Sequence, residues 1–122
     1  MLSDHDVRRL ALRGITEEDL AAIAGACRNG QACCFSAPDG RLVLKMTVKD
    51  GVPCVLVWLA VCAGHNSVER YLPVVRQLTR MAGGRWAEFY TTRRGFIRLA
   101  ARLGFERLEG CEAGVMGFRI RV

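Results

Sequence analysis

The chain has 122 residues, 51% of them hydrophobic, and a formal net charge of +6. That length suits one domain spanning 1–122, and that apolar share excludes a disordered chain. The basic balance favours acidic partners without choosing among a nucleic acid, an anionic cofactor and an acidic protein face.

Residues 7–12 are predicted as a first strand, broken at Gly14. Thr16-Glu17-Glu18-Asp19 then has the form of a capping box, with acids in the first turn where the helix dipole favours them. Leu20, Ile23, Ala24 and Cys27 follow on one helical face, and Asn29-Gly30 ends the helix. Strands are predicted over 31–36 and 41–48, joined by the turn Pro38-Asp39-Gly40. Lys49-Asp50-Gly51 is a second turn of the same kind. The run 52–62 is apolar on both faces, as a central strand must be.

A polar connection follows over 63–69. The next helix carries Tyr71, Val74, Val75, Leu78 and Ala82 at helical spacing and closes at Gly83-Gly84. Because Pro73 is best tolerated in a first turn, this helix is predicted to start around 70–72. Residues 85–91 form another strand. Thr92 is placed to cap a helix with Phe96, Leu99, Ala100 and Leu103 on one face, ended by Gly104. Strands over 105–108 and 115–122 complete the chain. The fold class is therefore α/β (α+β): a mixed, mostly antiparallel sheet of about six to seven strands with helices on both faces. Its strand–helix–strand units are expected to be parallel and right-handed.

Several function classes fall away. The longest apolar run, 52–64, is too short to span a bilayer, so no membrane partner is expected. Residues 1–13 are rich in charge and do not read as a signal peptide. Cys27, Cys33, Cys34, Cys54, Cys62 and Cys111 include no CxxC pair, and the histidines number two, His5 and His65. No metal site is expected, and the thiols read as reduced and mostly buried in a cytosolic protein. Cys62 and His65 have the spacing of a thiolate–imidazole pair but lack an obvious third group to orient them.

The element order resembles that of the GNAT N-acetyltransferase superfamily. Three segments carry the likeness: 7–23 with its Ile15-Thr16-Glu17-Glu18-Asp19-Leu20, the strand 52–62 running into the helix that ends at Gly84, and Ala100-Ala101-Arg102-Leu103-Gly104-Phe105-Glu106, similar to the family's xYxxLGF ending. The resemblance implies an acetyl-CoA pyrophosphate loop of the form R/Q-x-x-G-x-G/A, in which backbone amides at a helix N-terminus hold the phosphates. Counted back from Gly84, that loop falls on Gly64, His65, Asn66, Ser67, Val68 and Glu69. His65, Ser67 and Glu69 take the glycine positions, and Glu69 brings negative charge to a phosphate seat. The family's thiolate-protonating tyrosine falls on Ala100, which has no proton to give. Arg93 stands where the family has asparagine. Tyr71 and Tyr90 remain as candidates for proton transfer.

Segments 69–80 and 91–105 are also similar to small altered GNAT-like proteins of tailed bacteriophages and prophages. That likeness implies a protein-binding role in particle assembly, in the bacterial cytoplasm or the virion, with phage structural proteins as partners and no cofactor. The alternative is an active acyltransferase that uses acetyl-CoA, with an open V-shaped cleft between the strands at 54–62 and 85–91. A third reading is a nucleic-acid-binding module. Arg94, Arg98 and Arg102 lie at i, i+4 and i+8 and, with Arg93, form a basic stripe for an anionic partner. Arg70, Arg76 and Arg80 extend the basic character to the other helix. Trp58, Trp86, Phe89 and Tyr90 are assigned to core packing.

Overall fold

The chain reverses tightly at Asp50 and Gly51. Both residues take positive φ, 52° and 76°, the backbone of a two-residue type I′ hairpin turn. The turn joins β2 (Gly40–Lys49) to β3 (Val52–Cys62), with Lys49 opposite Val52. The computed structural model describes residues 17–37, 40–62, 67–111 and 114–122. The strand expected at 7–12, the Thr16 cap and the Pro38-Asp39 turn lie outside the described residues.

The remaining elements are α1 (Glu17–Arg28), β1 (Ala32–Ala37), α2 (Ser67–Met81), β4 (Trp86–Thr91), α3 (Phe96–Leu103), β5 (Glu106–Leu108) and β6 (Met116–Arg121). Among the described residues six strands form one sheet in the order β1-β2-β3-β4-β6-β5. Every pairing is antiparallel except β3 with β4. β6 lies between β4 and β5, so the strands flanking α3 run in one direction without touching. The β3–α2–β4 unit supplies the expected adjacent parallel pair.

Helices cover both faces. On one, Ile23 and Ala26 of α1 pack with Ala32, Val43 and Leu59. On the other, Val75 of α2 packs with Leu42, Ala87 and Ile120. Ala100 of α3 packs with Met116 and Phe118 on that same side, since alternate residues of β6 share one face. Phe89 sits among three aromatic rings, with centroids 5.6 Å from Phe96, 5.3 Å from Phe105 and 5.4 Å from Phe118. Phe89 and Trp86 are thus core residues; Trp58 is half-buried and Tyr90 exposed.

Two helices differ from expectation. α2 begins at Ser67 and carries Pro73 in its interior. The proline removes the amide that would bond the Glu69 carbonyl. The earlier start adds half-buried Val68 to the side of the helix that holds Tyr71, Leu72, Val75 and Thr79. Val74 and Ala82, expected on the buried face, are exposed. Buried Thr79 satisfies its hydroxyl by donating to the Val75 carbonyl at 2.7 Å. α3 starts at Phe96 after Gly95, with no side-chain cap. Thr92 does not cap it; the neighbouring Thr91 hydroxyl accepts from the Arg93 amide at 3.1 Å.

Burial of α1 rests on Ile23, only 2% exposed. Urea denaturation of Ile23→Ala is expected to show a loss of about 2–5 kcal/mol from the missing contacts and the cavity left behind. Val74→Ala, on the exposed side of α2, should change stability by less than about 0.5 kcal/mol.

Candidate functional site

β3 and β4 pair at two positions, Val55 with Ala87 and Leu56 with Glu88. Beyond them β3 runs on to Cys62 held by β2, and β4 runs on to Thr91 held by β6. The two carboxyl-terminal halves therefore part into a V. On their facing edges, residues 57–62 and 89–91 have no ladder partner in the other strand, which leaves backbone donors and acceptors for an extended ligand. Open sheets bind ligands at such carboxyl ends. The β2–β3 register shifts beside the V: Val43 faces Leu59, whereas Leu44 faces Val57. Trp58 is the extra residue of this bulge, which turns Leu59 towards α1 and Val57 towards α2. The Lys45 ammonium lies 4.9 Å from the Trp58 ring centre.

Glu88 marks the point where the strands separate. It is 2% exposed and projects away from α2, because its neighbour Ala87 packs under that helix. One carboxylate oxygen meets the Lys49 ammonium at 2.8 Å and accepts from the Tyr90 hydroxyl at 3.3 Å. The other accepts from the Trp86 indole at 3.0 Å. Lys49 also donates to the Tyr90 oxygen at 2.7 Å. Burial pushes the Lys49 ammonium down, but its hydrogen bonds to Glu88 and Tyr90 outweigh that and hold it above the usual lysine range. The Tyr90 ring lies against Gly117, where a Cβ would come within 2.8 Å of it. Tyr90 is thus clamped between β6 and the Lys49–Glu88 pair, with one side open to solvent.

The helix that follows the V presents a protein carboxylate at its start. Glu69, in the first turn of α2, forms an ion pair with Arg102 of α3. Arg76 lies two turns further along the same side of α2; its Nε is buried without a hydrogen-bond partner among the described residues. Ala100, at the position of the expected acid, is 2% exposed and belongs to the core cluster with Met116 and Phe118.

The sequence candidates divide accordingly. Gly64, His65 and Asn66 lie outside the described residues, as does the Cys62–His65 pairing. Ser67 opens α2, and Val68 is half-buried beside it. Tyr71 packs against the Leu42–Val75 cluster, with the Arg70 guanidinium 5.7 Å from its ring centre. The basic stripe does not hold together: Arg93 and Arg94 precede α3, Arg98 is exposed, and Arg102 is taken by Glu69. Lys49, Glu88 and Arg107 escaped the sequence reading. The alternation Trp86, Glu88, Tyr90 along one strand face was the available signal for Glu88; nothing local announces Lys49 as its partner. Among the described residues no group of three or more histidine, cysteine or acidic side chains is arranged to hold a metal, and no helix is long and apolar enough to cross a membrane.

No family model matches the chain, and no curated protein matches it significantly. Solved structures do. A protein from Agrobacterium tumefaciens described as an acetyltransferase is similar over 100% of this chain and 96% of its own, with 15% identity and a TM-score of 0.54. A structure of AtaTR bound with AcCoA is similar over 77% of this chain and 71% of its own, with 15% identity and a TM-score of 0.52. The chain has a GNAT-like fold. At this identity the likeness concerns the fold alone.

In this GNAT-like fold the cross-strand pair at the V is a stability element. Glu88→Gln should cost about 1–3 kcal/mol, because charge-assisted hydrogen bonds at a buried carboxylate are lost. Since the Lys49 pKa is raised on folding, its contribution is present at neutral pH and disappears as pH rises. The stability gap between the native protein and Lys49→Met, followed by urea denaturation, should stay constant around neutrality and narrow above the ordinary lysine value of 10.5.

Proposed function

We propose that this protein uses its GNAT-like fold to bind another protein and does not carry out ordinary acetyl transfer. The observation that carries the reading is Ala100. It stands where the family resemblance expects the thiolate-protonating tyrosine, and it is sealed in the α3–β6 core. A residue so placed neither donates a proton nor reaches a cleft. Glu69 supports the same reading. A helix N-terminus favours an anion, and here the first turn already carries one, neutralised by Arg102. These residues do not fit a pyrophosphate seat of the usual kind. The phage likeness of segments 69–80 and 91–105 supports particle assembly as the setting, in the bacterial cytoplasm or the virion, and rests on the sequence alone.

A second reading has one specific observation in its favour, the V between β3 and β4. In that reading the protein is an acyltransferase that takes acetyl-CoA in the V, and Tyr90, hydrogen-bonded by Lys49 and Glu88, is the residue left to supply a proton.

Isothermal titration with acetyl-CoA separates the two. The binding reading expects no heat at micromolar concentrations and no acyl transfer to a panel of amines. Micromolar affinity, with turnover abolished in Tyr90→Phe, would establish the second reading instead. Ala100→Tyr is expected to create no activity and to lower stability by about 1–3 kcal/mol, because it overpacks a filled core.

A further inference from the structure

A groove of about 210 Å³ lies on the outer side of α3, lined by Thr92, Arg94, Ile97, Arg107, Val115 and Met116. Its elements meet by topology. The turn from β4 into α3 brings Thr92, Arg94 and Ile97, and the β5–β6 hairpin brings Arg107, Val115 and Met116. The walls are of two kinds. Arg94 and Arg107 are exposed, and neither forms an ion pair among the described residues. The Arg107 guanidinium lies 5.8 Å from the Phe118 ring centre, which restrains its stem without using its hydrogen-bond donors. The nearest carboxylate in sequence, Glu106, points to the other face of β5, where it binds Arg119 and Arg121. Beside the two arginines and Thr92 the lining is apolar: Met116 is buried, Val115 half-buried, and Ile97 remains 40% exposed.

We propose that this groove is the docking site for an acidic, partly apolar peptide segment of a partner protein. The proposal rests on the binding reading above and names the surface that performs it. Two guanidinium groups without a counter-ion among the described residues call for carboxylates, which they can take in bidentate fashion. An exposed isoleucine over a methionine floor calls for an aliphatic side chain between those carboxylates. A nucleic-acid backbone would answer the charges but leave the apolar wall in water, and the groove offers no exposed aromatic ring for base stacking. Its lining shares no residue with the V or with the Glu69–Arg102 pair.

The test is fluorescence anisotropy with a labelled peptide of glutamate pairs alternating with leucines. Arg94→Glu with Arg107→Glu should weaken binding at least about tenfold, the effect of losing two partly desolvated charge pairs. Arg28→Glu with Arg80→Glu makes the same change in net charge away from the groove and should have less than about a threefold effect through long-range attraction alone. Arg107→Met keeps the packing on Phe118 while removing the charge, so a loss of affinity in this variant is not a loss of fold. Ile97→Ser should weaken binding with all charges intact. Equal effects of the groove and control pairs would overturn the proposal, as would tighter binding of a single-stranded oligonucleotide of equal length. A peptide that fails to bind in a protein that also ignores acetyl-CoA removes this groove and leaves the binding reading standing. Acyl transfer from acetyl-CoA removes the binding reading whatever the peptide does.

Discussion

Everything in this molecule turns on a two-pair parallel join. The sheet is two antiparallel triplets, β1-β2-β3 and β4-β6-β5, and the ladder between them consists of Val55 with Ala87 and Leu56 with Glu88. So short a seam could not align two three-stranded sheets unaided. It is reinforced at its foot by the Arg85 amide, which donates to the Pro53 carbonyl at 2.9 Å. On one face it is bridged by the Leu42–Val75–Ala87–Ile120 cluster, which takes residues from β2, α2, β4 and β6. On the other it is bridged by Lys49 reaching from the end of β2 to Glu88 on β4. Because the seam stops at Glu88, the V opens there. The residue that ends the ladder therefore also ties the two halves together.

That tie explains why a buried carboxylate is tolerated. A lone Glu88 would meet a large desolvation cost. Here both oxygens are engaged, by an ammonium and a hydroxyl on one and an indole on the other. Lys49 keeps 44% of its side chain exposed, so the pair remains partly hydrated and avoids much of the cost of a dry ion pair. The same arrangement holds the Tyr90 ring over Gly117. The glycine thus serves the site by lacking a side chain, in a strand where most residues would do.

The parts legible in the sequence were those set by neighbours along the chain. The Asp50-Gly51 reversal, the doubly apolar run of β3 and the Gly104 stop of α3 are local chemistry, and the structure has all three. The start of α2 was not legible, because Pro73 argues locally for a later start, whereas the helix begins at Ser67 and puts Val68 on its half-buried side. The basic stripe is interrupted for a related reason. Spacing at i, i+4 and i+8 assumes one continuous helix, whereas α3 begins only at Phe96. Arg94 and Arg102 consequently face different surroundings. The Lys49–Glu88 pair spans 39 residues of sequence, and periodicity carries no information at that range.

Arg102 and Glu69 show how far a motif can mislead when its residues are judged singly. In sequence, Glu69 spoils a phosphate seat and Arg102 adds to an anion-binding stripe, two statements that point to opposite charges at separate places. In the fold they form one ion pair between α2 and α3, and each satisfies the property that made the other notable. Arg94 and Arg107, on either side of Arg102 in sequence, are among the exposed arginines that no described carboxylate answers. This chain presents a V between its parallel strands and a groove beside its last helix. On the binding reading proposed above, the core alanine at 100 and the neutralised acid at 69 leave the first unused for ordinary acetyl transfer, and two arginines without a described counter-ion line the second. The charge that makes the chain basic thus becomes informative only after the internal pairs have been subtracted from it.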